Sequence, residues 1–219
     1  MNGNFYDEKT GLDIYYTTVG TAHILYADVS ELCIDKVRDM LSEFRILKVN
    51  AIRRDIDKKL SAGAEILLST ALSRYYPQIN TPLEYEFGKF KKPGFAGFAD
   101  IHFNLSHAGN VAVCAVAQTE VGVDIELISR MSEGVINKYF TDAEKQMLSS
   151  GSCFSYIWTR KEAVSKAEGT GLSLGLGSFS VDSDMVCINS DTYSVTSITP
   201  EIPGYELALS QRLVAGNTP

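Results

Sequence analysis

The chain has 219 residues, is 45% hydrophobic and 21% charged, and sets 20 Lys+Arg against 27 Asp+Glu for a formal net charge of −7. That composition supplies a core for one domain or two small ones and, with 17 Gly and 6 Pro, excludes fibrous, low-complexity and disordered chains. A net acidic chain gains no counterion-release attraction, which argues against nucleic acid or an anionic membrane as a partner unless its basic residues are segregated.

The first nine residues, MNGNFYDEK, are polar and lack the basic start and apolar middle of a secretory signal. The longest apolar runs, such as residues 111–117, fall short of the roughly 18 residues that a bilayer span requires. Cys33, Cys114, Cys153 and Cys187 are scattered and, with His23, His102 and His107, offer no zinc spacing; they read as reduced thiols in a cytoplasmic protein.

After a polar tail, residues 22–29 alternate as a strand, and Ser30 opens a helix running to about Phe44. A polar, basic stretch over 45–59 leads into an amphipathic helix from about Leu60 to Tyr76, stopped by Pro77. Prolines and glycines break 78–100 into irregular chain with short strands. Residues 102–105, 111–116 and 121–125 read as adjacent strands, with Gly109-Asn110 as a turn. Helices follow at 133–140, behind the cap Thr141-Asp142-Ala143-Glu144, and from about Cys153 to Glu168 with Gly169 as its stop. Residues 178–181, 185–189, 193–198 and 205–210 alternate as an antiparallel sheet. Both halves thus repeat strand, short helix and long helix, which suggests an internal duplication with halves meeting near residue 105.

Four constellations could carry chemistry. In Gly122-Val123-Asp124-Ile125-Glu126, strand alternation puts Asp124 and Glu126 on one face. They are either a solvated strand face or a site for a hard cation such as Mg²⁺. In residues 158–166, helical spacing aligns Trp158, Glu162 and Lys166; a surface Glu–Lys pair is the ordinary explanation, which the single tryptophan of the chain makes less comfortable. Phe103-Asn104-Leu105-Ser106-His107 ends in a hydroxyl and an imidazole that face opposite ways in an extended segment, poor geometry for a nucleophile and its base but usable for binding an anion. Finally, residues 45–92 hold ten Lys+Arg against five acids, a net of +5 that leaves the rest at −12. Such a strip suits a small polyanion or is simply a solvated face. The glycines of 169–177 follow a helix instead of linking a strand to one, so dinucleotide and P-loop readings fail.

Together these segments resemble the Sfp-type 4'-phosphopantetheinyl transferases, marked by a G-[IV]-D-[IVL]-E strand, a later W-x-x-K-E-x-x-x-K helix and an upstream F-N-[IL]-S-H segment. The resemblance continues into Glu168-Gly169-Thr170-Gly171-Leu172-Ser173-Leu174, and departs at the family's G-K-P turn, here Phe90-Lys91-Lys92-Pro93 after Gly88-Lys89. It implies an α+β fold built as a pseudo-dimer of two similar halves, antiparallel sheets packed with helices, with coenzyme A between them. The first half, 1–105, would carry basic coenzyme A and carrier contacts; the second, 106–219, the metal site and catalytic helix.

The activity implied is Mg²⁺-dependent transfer of the phosphopantetheine arm of coenzyme A to a serine of an apo acyl or peptidyl carrier protein, releasing adenosine 3',5'-bisphosphate. By matching positions, Asp124, Glu126 and Glu162 would hold the metal, with Glu162 also the general base and Lys166 stabilising phosphate charge. Ser106 and His107 would hold the 3'-phosphate, with Lys59, Lys92 and Arg53 completing a basic cradle, while Trp158 packs the helix. A monomer would suffice, without nucleic acid or membrane. The rival readings are a non-catalytic coenzyme A or carrier-binding module and a Mg²⁺-dependent phosphohydrolase.

Overall fold

The computed structural model describes residues 2–87, 93–95, 97–129, 133–169 and 174–214. Its chain opens with three strands, β1 (Gly3–Asp7), β2 (Leu12–Val19) and β3 (Ala22–Asp28). The polar tail expected ahead of residue 22 is therefore two strands of a meander, and β2 buries Leu12 and Ile14 on the core face while Asp13 points out. Gly11, at φ +73°, makes the turn between β1 and β2 in a conformation that a β-carbon disfavours.

The helix expected over 30–44 does not form as one piece. A short α1 (Ile34–Val37) and a 3₁₀ turn (Arg38–Met40) precede α2 (Glu43–Ala51). The break is set by Ser42, whose hydroxyl accepts the Arg45 N–H at 3.0 Å as an N-cap. Its own N–H and hydroxyl donate to the buried Glu65 carboxylate at 2.6 and 3.1 Å. Glu65 lies on α3 (Asp55–Tyr75), which begins inside the polar, basic stretch, ahead of the helix start expected at Leu60, and presents Ala64, Leu67, Leu68, Ala71 and Leu72 to the core. A two-stranded ribbon, β4 (Tyr85–Phe87) and β5 (Pro93–Phe95), leads to the hairpin of β6 (His102–Ala108) and β7 (Val111–Ala117). All pairings are antiparallel, in the order β1-β2-β3-β7-β6. Every residue of β7 is buried, as suits a central strand beneath a helix.

The second unit begins with β8 (Val121–Leu127), followed by α4 (Glu133–Tyr139), α5 (Asp142–Ser149) and α6 (Phe154–Glu168). Then come β9 (Met185–Ile188), β10 (Asp191–Ile198) and β11 (Tyr205–Leu213), giving the antiparallel order β8-β11-β10-β9. The strand expected at 178–181 is absent; a 3₁₀ turn (Leu176–Ser178) stands before it. Its backbone is bound by an ion pair instead of a sheet, for the Val181 N–H donates to Glu144 and the Phe179 carbonyl accepts from Lys161. Nor does β8 join the β6–β7 hairpin, since its pairing partner is β11.

The fold is α+β with antiparallel sheets and helices packed on them, as the sequence reading required. The compact units are Met1–Gln118 and Thr119–Pro219, whereas the sequence placed the division at 105/106; β6 and β7 complete the first sheet and carry the boundary beyond them. From β3 onward in the first unit and from β8 onward in the second, one order repeats: a strand, helices ending in a long one, and strands of which the last returns to pair with the starting strand, β7 with β3 and β11 with β8. Each unit also ties the first turn of a short helix to its long helix by a buried ion pair with the signs exchanged. In the first unit Arg45 of α2 meets Glu65 of α3 at 2.9 Å; in the second Glu144 of α5 meets Lys161 of α6 at 2.6 Å. No helix among the described residues is long and apolar enough to cross a membrane.

Candidate active site

The acid pair sits where β8 passes under α6. Gly122, Asp124 and Glu126 share a face by strand alternation, and that face meets the helix. A β-carbon on Gly122 would lie 2.1 Å from the Ala163 carbonyl oxygen and 2.4 Å from the Ala167 nitrogen, so only glycine admits this approach. The register also sets Ser210 of β11, another small residue, opposite Gly122. The helix itself is bounded by Cys153, whose sulfur accepts the Tyr156 N–H, and by Gly169 in the left-handed conformation at φ +88°.

The close approach delivers one stripe of α6 to the carboxylates. Lys166 Nζ lies 2.6 Å from Asp124 Oδ1 and 3.3 Å from the Val123 carbonyl oxygen. Burial, then the charge of Asp124, pushes the Glu126 carboxyl up to about 7, with Glu162 adding to the rise and a hydrogen bond from Trp158 and the charge of Lys166 opposing it. The Glu162 carboxyl is likewise raised, first by burial and then by Asp124, with Lys166 opposing. Three carboxylates thus feel one another within a half-buried site where Lys166 is the cation that acts on them among the described residues. Among the described residues no three acid, histidine or cysteine side chains already stand as a ligand shell. Still, this donor set suits a hard divalent cation: oxygen ligands, partly desolvated, with more negative charge than one lysine neutralises.

Trp158 does more than pack. It stacks on Phe154, with ring centroids 5.8 Å apart, and meets Tyr139 edge-on at 5.8 Å, while its indole N–H donates to Glu126. The alignment of Trp158 with Glu162 on a helix, four apart, was the available signal for this; the cross-element bond to β8 was not visible in it. Lys161, the neighbour of Glu162, faces elsewhere. It is fully buried, donating to both Glu144 oxygens at 2.6 and 2.8 Å and to the Phe179 carbonyl at 2.7 Å, so it serves the core.

The anion-binding residues expected from the sequence fall in the first unit and are not gathered at one place. Ser106 is buried and His107 exposed, on opposite faces of β6. His107 lines a cavity of about 400 Å³ with Phe44, Arg45, Lys48, Phe87 and Phe103. Arg45 and Lys48 were counted in the basic strip without being assigned to this place; their spacing along α2, three apart, is the signal that would have found them. Burial, then the charge of Arg45, lowers the pKa of Lys48. Lys59 instead donates to the Ser30 carbonyl at 2.7 Å, lies 3.3 Å from Asp55 and lines a separate cavity with Arg38 and Lys58. Arg53 is exposed just beyond α2, and Lys92 lies outside the described residues.

Comparison with known proteins bears on this geometry. Residues 120–195, which contain β8 and α6, match the 4'-phosphopantetheinyl transferase superfamily. The chain is 31% identical over 157 residues to the 4'-phosphopantetheinyl transferase Sfp of Bacillus subtilis, covering 66% of this chain and 70% of that protein. It is 27% identical over 198 residues to the 4'-phosphopantetheinyl transferase psf-1 of Bacillus pumilus, covering 82% of each. A third relative, the 4'-phosphopantetheinyl transferase gsp of Aneurinibacillus migulanus, is 36% identical over 132 residues, 58% of this chain and 55% of its own length. The chain belongs to the 4'-phosphopantetheinyl transferase superfamily and is a transferase of that class.

Proposed function

We propose that this protein transfers the 4'-phosphopantetheine arm of coenzyme A to a serine hydroxyl of an apo acyl or peptidyl carrier protein and releases adenosine 3',5'-bisphosphate. The observation that carries the reading is the convergence of Asp124, Glu126 and Glu162 with Lys166 across β8 and α6. The serine oxygen forms a bond to the phosphorus that bears the pantetheine arm, and the bond from that phosphorus to the bridging oxygen of the pyrophosphate breaks. Glu162, raised in pKa by its surroundings, takes the serine proton. Lys166, held beside Asp124 with part of its side chain exposed, would meet the charge that develops on the departing phosphate.

Asp124, Glu126 and Glu162 would hold Mg²⁺, which when bound supplies charge neutralisation at the pyrophosphate. His107 would hold the 3'-phosphate with Lys48, which lines the same cavity, while Ser106, on the opposite face of β6, and Arg53 lie outside that lining, and Lys92 is carried over from the family resemblance alone. Lys59, engaged by Ser30 and Asp55, is the weakest member of that cradle. The shared strand and helix order of the two units, with the exchanged ion pairs, supports an origin by duplication. The four cysteines, all reduced, fit a cytoplasmic setting in which a monomer is sufficient.

The test is incubation with coenzyme A, Mg²⁺ and an apo carrier protein, followed by intact-mass measurement of the carrier. A gain of one phosphopantetheine supports transfer. Hydrolysed coenzyme A with an unchanged carrier would instead identify a phosphohydrolase, and no change in either a binding module.

A further inference from the structure

The last turns of α3 place Ser69, Thr70, Ser73 and Arg74 along one side, with Ser69 four residues before Ser73 and Thr70 four before Arg74. All four line a cavity of about 530 Å³ in the first unit, which Phe5 and Met40 wall on the apolar side. None of these residues takes part in the transfer proposed above.

Two features mark the cavity as built for a ligand. Ser69 is only 6% exposed and its hydroxyl has no hydrogen-bond partner among the described residues, a costly arrangement for a buried polar group. Arg74, exposed at the mouth of the cavity, enters no ion pair among the described residues, so its charge faces solvent and is open to an anion. Its guanidinium is held by aromatic faces, 5.6 Å from the Phe5 ring centroid, 4.5 Å from that of Tyr16 and 5.6 Å from that of Tyr75. The other charges of the cavity, Lys9 and Asp39, pair with each other at 3.5 Å.

We propose that this cavity binds a small phosphate monoester. A guanidinium fixed in its plane by aromatic rings offers paired donors that match phosphate oxygens. Thr70 and Ser73 bring hydroxyls to the same side, and rotation of the Ser69 side chain would turn its unpartnered hydroxyl toward them, more donors than a planar carboxylate can use. The organic group of the ester lies against Phe5 and Met40.

The test is titration of the full chain with phenyl phosphate, with sodium benzoate as the carboxylate counterpart, by calorimetry and by amide NMR shifts. The expected result is saturable phenyl phosphate binding with shifts at residues 69–74, at least tenfold weaker binding in R74K, which keeps the charge and loses the fork, and weakening of about three- to tenfold in S69A. S69A should transfer phosphopantetheine at the wild-type rate. Phenyl phosphate binding that is unchanged in both variants, benzoate binding as tight as that of the phosphate, or no shifts at 69–74 would each overturn the proposal.

Discussion

Lys166 on α6 and Asp124 on β8 are joined at 2.6 Å, and this single contact spans the two segments most informative in the sequence. Asp124 is 3% exposed, so its carboxylate depends on neighbours for the stabilisation that water would otherwise supply. Glu162, one turn before Lys166, brings its own carboxyl toward the same place. The strand supplies two acids and the helix an acid and a base, and the chemistry depends on the packing of one upon the other.

The first prediction follows directly. D124N and E162Q retain shape while removing a charge that no other group replaces. Each should lower carrier modification at least about a thousandfold, equivalent to roughly 4 kcal/mol of transition-state stabilisation. Thermal unfolding should stay within a few degrees of wild type. Intact mass of the carrier over time gives the rate, and a rate within tenfold of wild type in either variant would remove that residue from the reaction.

Glu126 supplies a pH test. Its carboxyl is raised in the folded protein to about 7, chiefly by burial and by Asp124. A raised acid holds its proton more tightly when folded, so it contributes stability that is fully present below the unfolded value near 4.5 and is lost as pH rises toward 7. Without divalent metal the protein should therefore become less stable between those limits, by about 1–2 kcal/mol once partial solvent screening is allowed for. E126Q should flatten that slope, and added Mg²⁺ should oppose the loss in wild type. Urea melts at a series of pH values in EDTA measure it; a slope identical in wild type and E126Q would refute the assignment.

Much of this site was readable from local pattern. Strand alternation aligned Asp124 with Glu126, helical spacing aligned Trp158, Glu162 and Lys166, and Thr141 with Glu144 forms the expected capping box. What escaped depends on partners distant in sequence. The break of the first helix at Ser42 is fixed by Glu65, and residues 178–181 are held by Glu144 and Lys161 instead of a strand neighbour. Lys59 was legible as basic, but its capture by Ser30 and Asp55 was not. The segment containing Lys92 lies outside the described residues.

Gly122 tests whether packing sets the geometry of the acids. An added methyl would sit 2.1 Å from a backbone oxygen of α6, which cannot move without the helix. G122A should cost about 1–3 kcal/mol or more in stability. The loss of transfer should be larger than that cost implies at a temperature where the protein is folded, because Glu162 and Lys166 move with the helix. Transfer rates measured well below the unfolding transition check this, and a folded G122A with wild-type rates would show that the close approach is not needed.

Trp158 separates packing from hydrogen bonding. W158F keeps an aromatic ring beside Phe154 and Tyr139 but loses the N–H that holds down the Glu126 pKa. Glu126 should then titrate higher and the Mg²⁺ requirement for half-maximal rate should rise several-fold, with a smaller change in the limiting rate. An unaltered Mg²⁺ dependence would return Trp158 to a purely structural role.

The exchanged ion pairs make a sharper stability prediction. Glu144 and Lys161 are both fully buried, and removing one partner of such a pair typically costs about 3–5 kcal/mol because the other charge is stranded. E144R and K161E should each cost at least that much, because each sets two like charges side by side in a buried site. The double variant E144R/K161E places a base in the first turn of the short helix and an acid on the long one, the arrangement that Arg45 and Glu65 already form in the first unit. There, the Glu65 carboxylate also accepts the Ser42 N–H at the helix start. In the double variant the new glutamate on α6 can accept the Thr141 N–H that Glu144 now takes at 2.8 Å. The double variant should therefore be more stable than either single one, with a coupling energy of about 2–3 kcal/mol by urea unfolding. Strict additivity of the two single losses would mean that the repeated ion pair is not an interchangeable element of the two units.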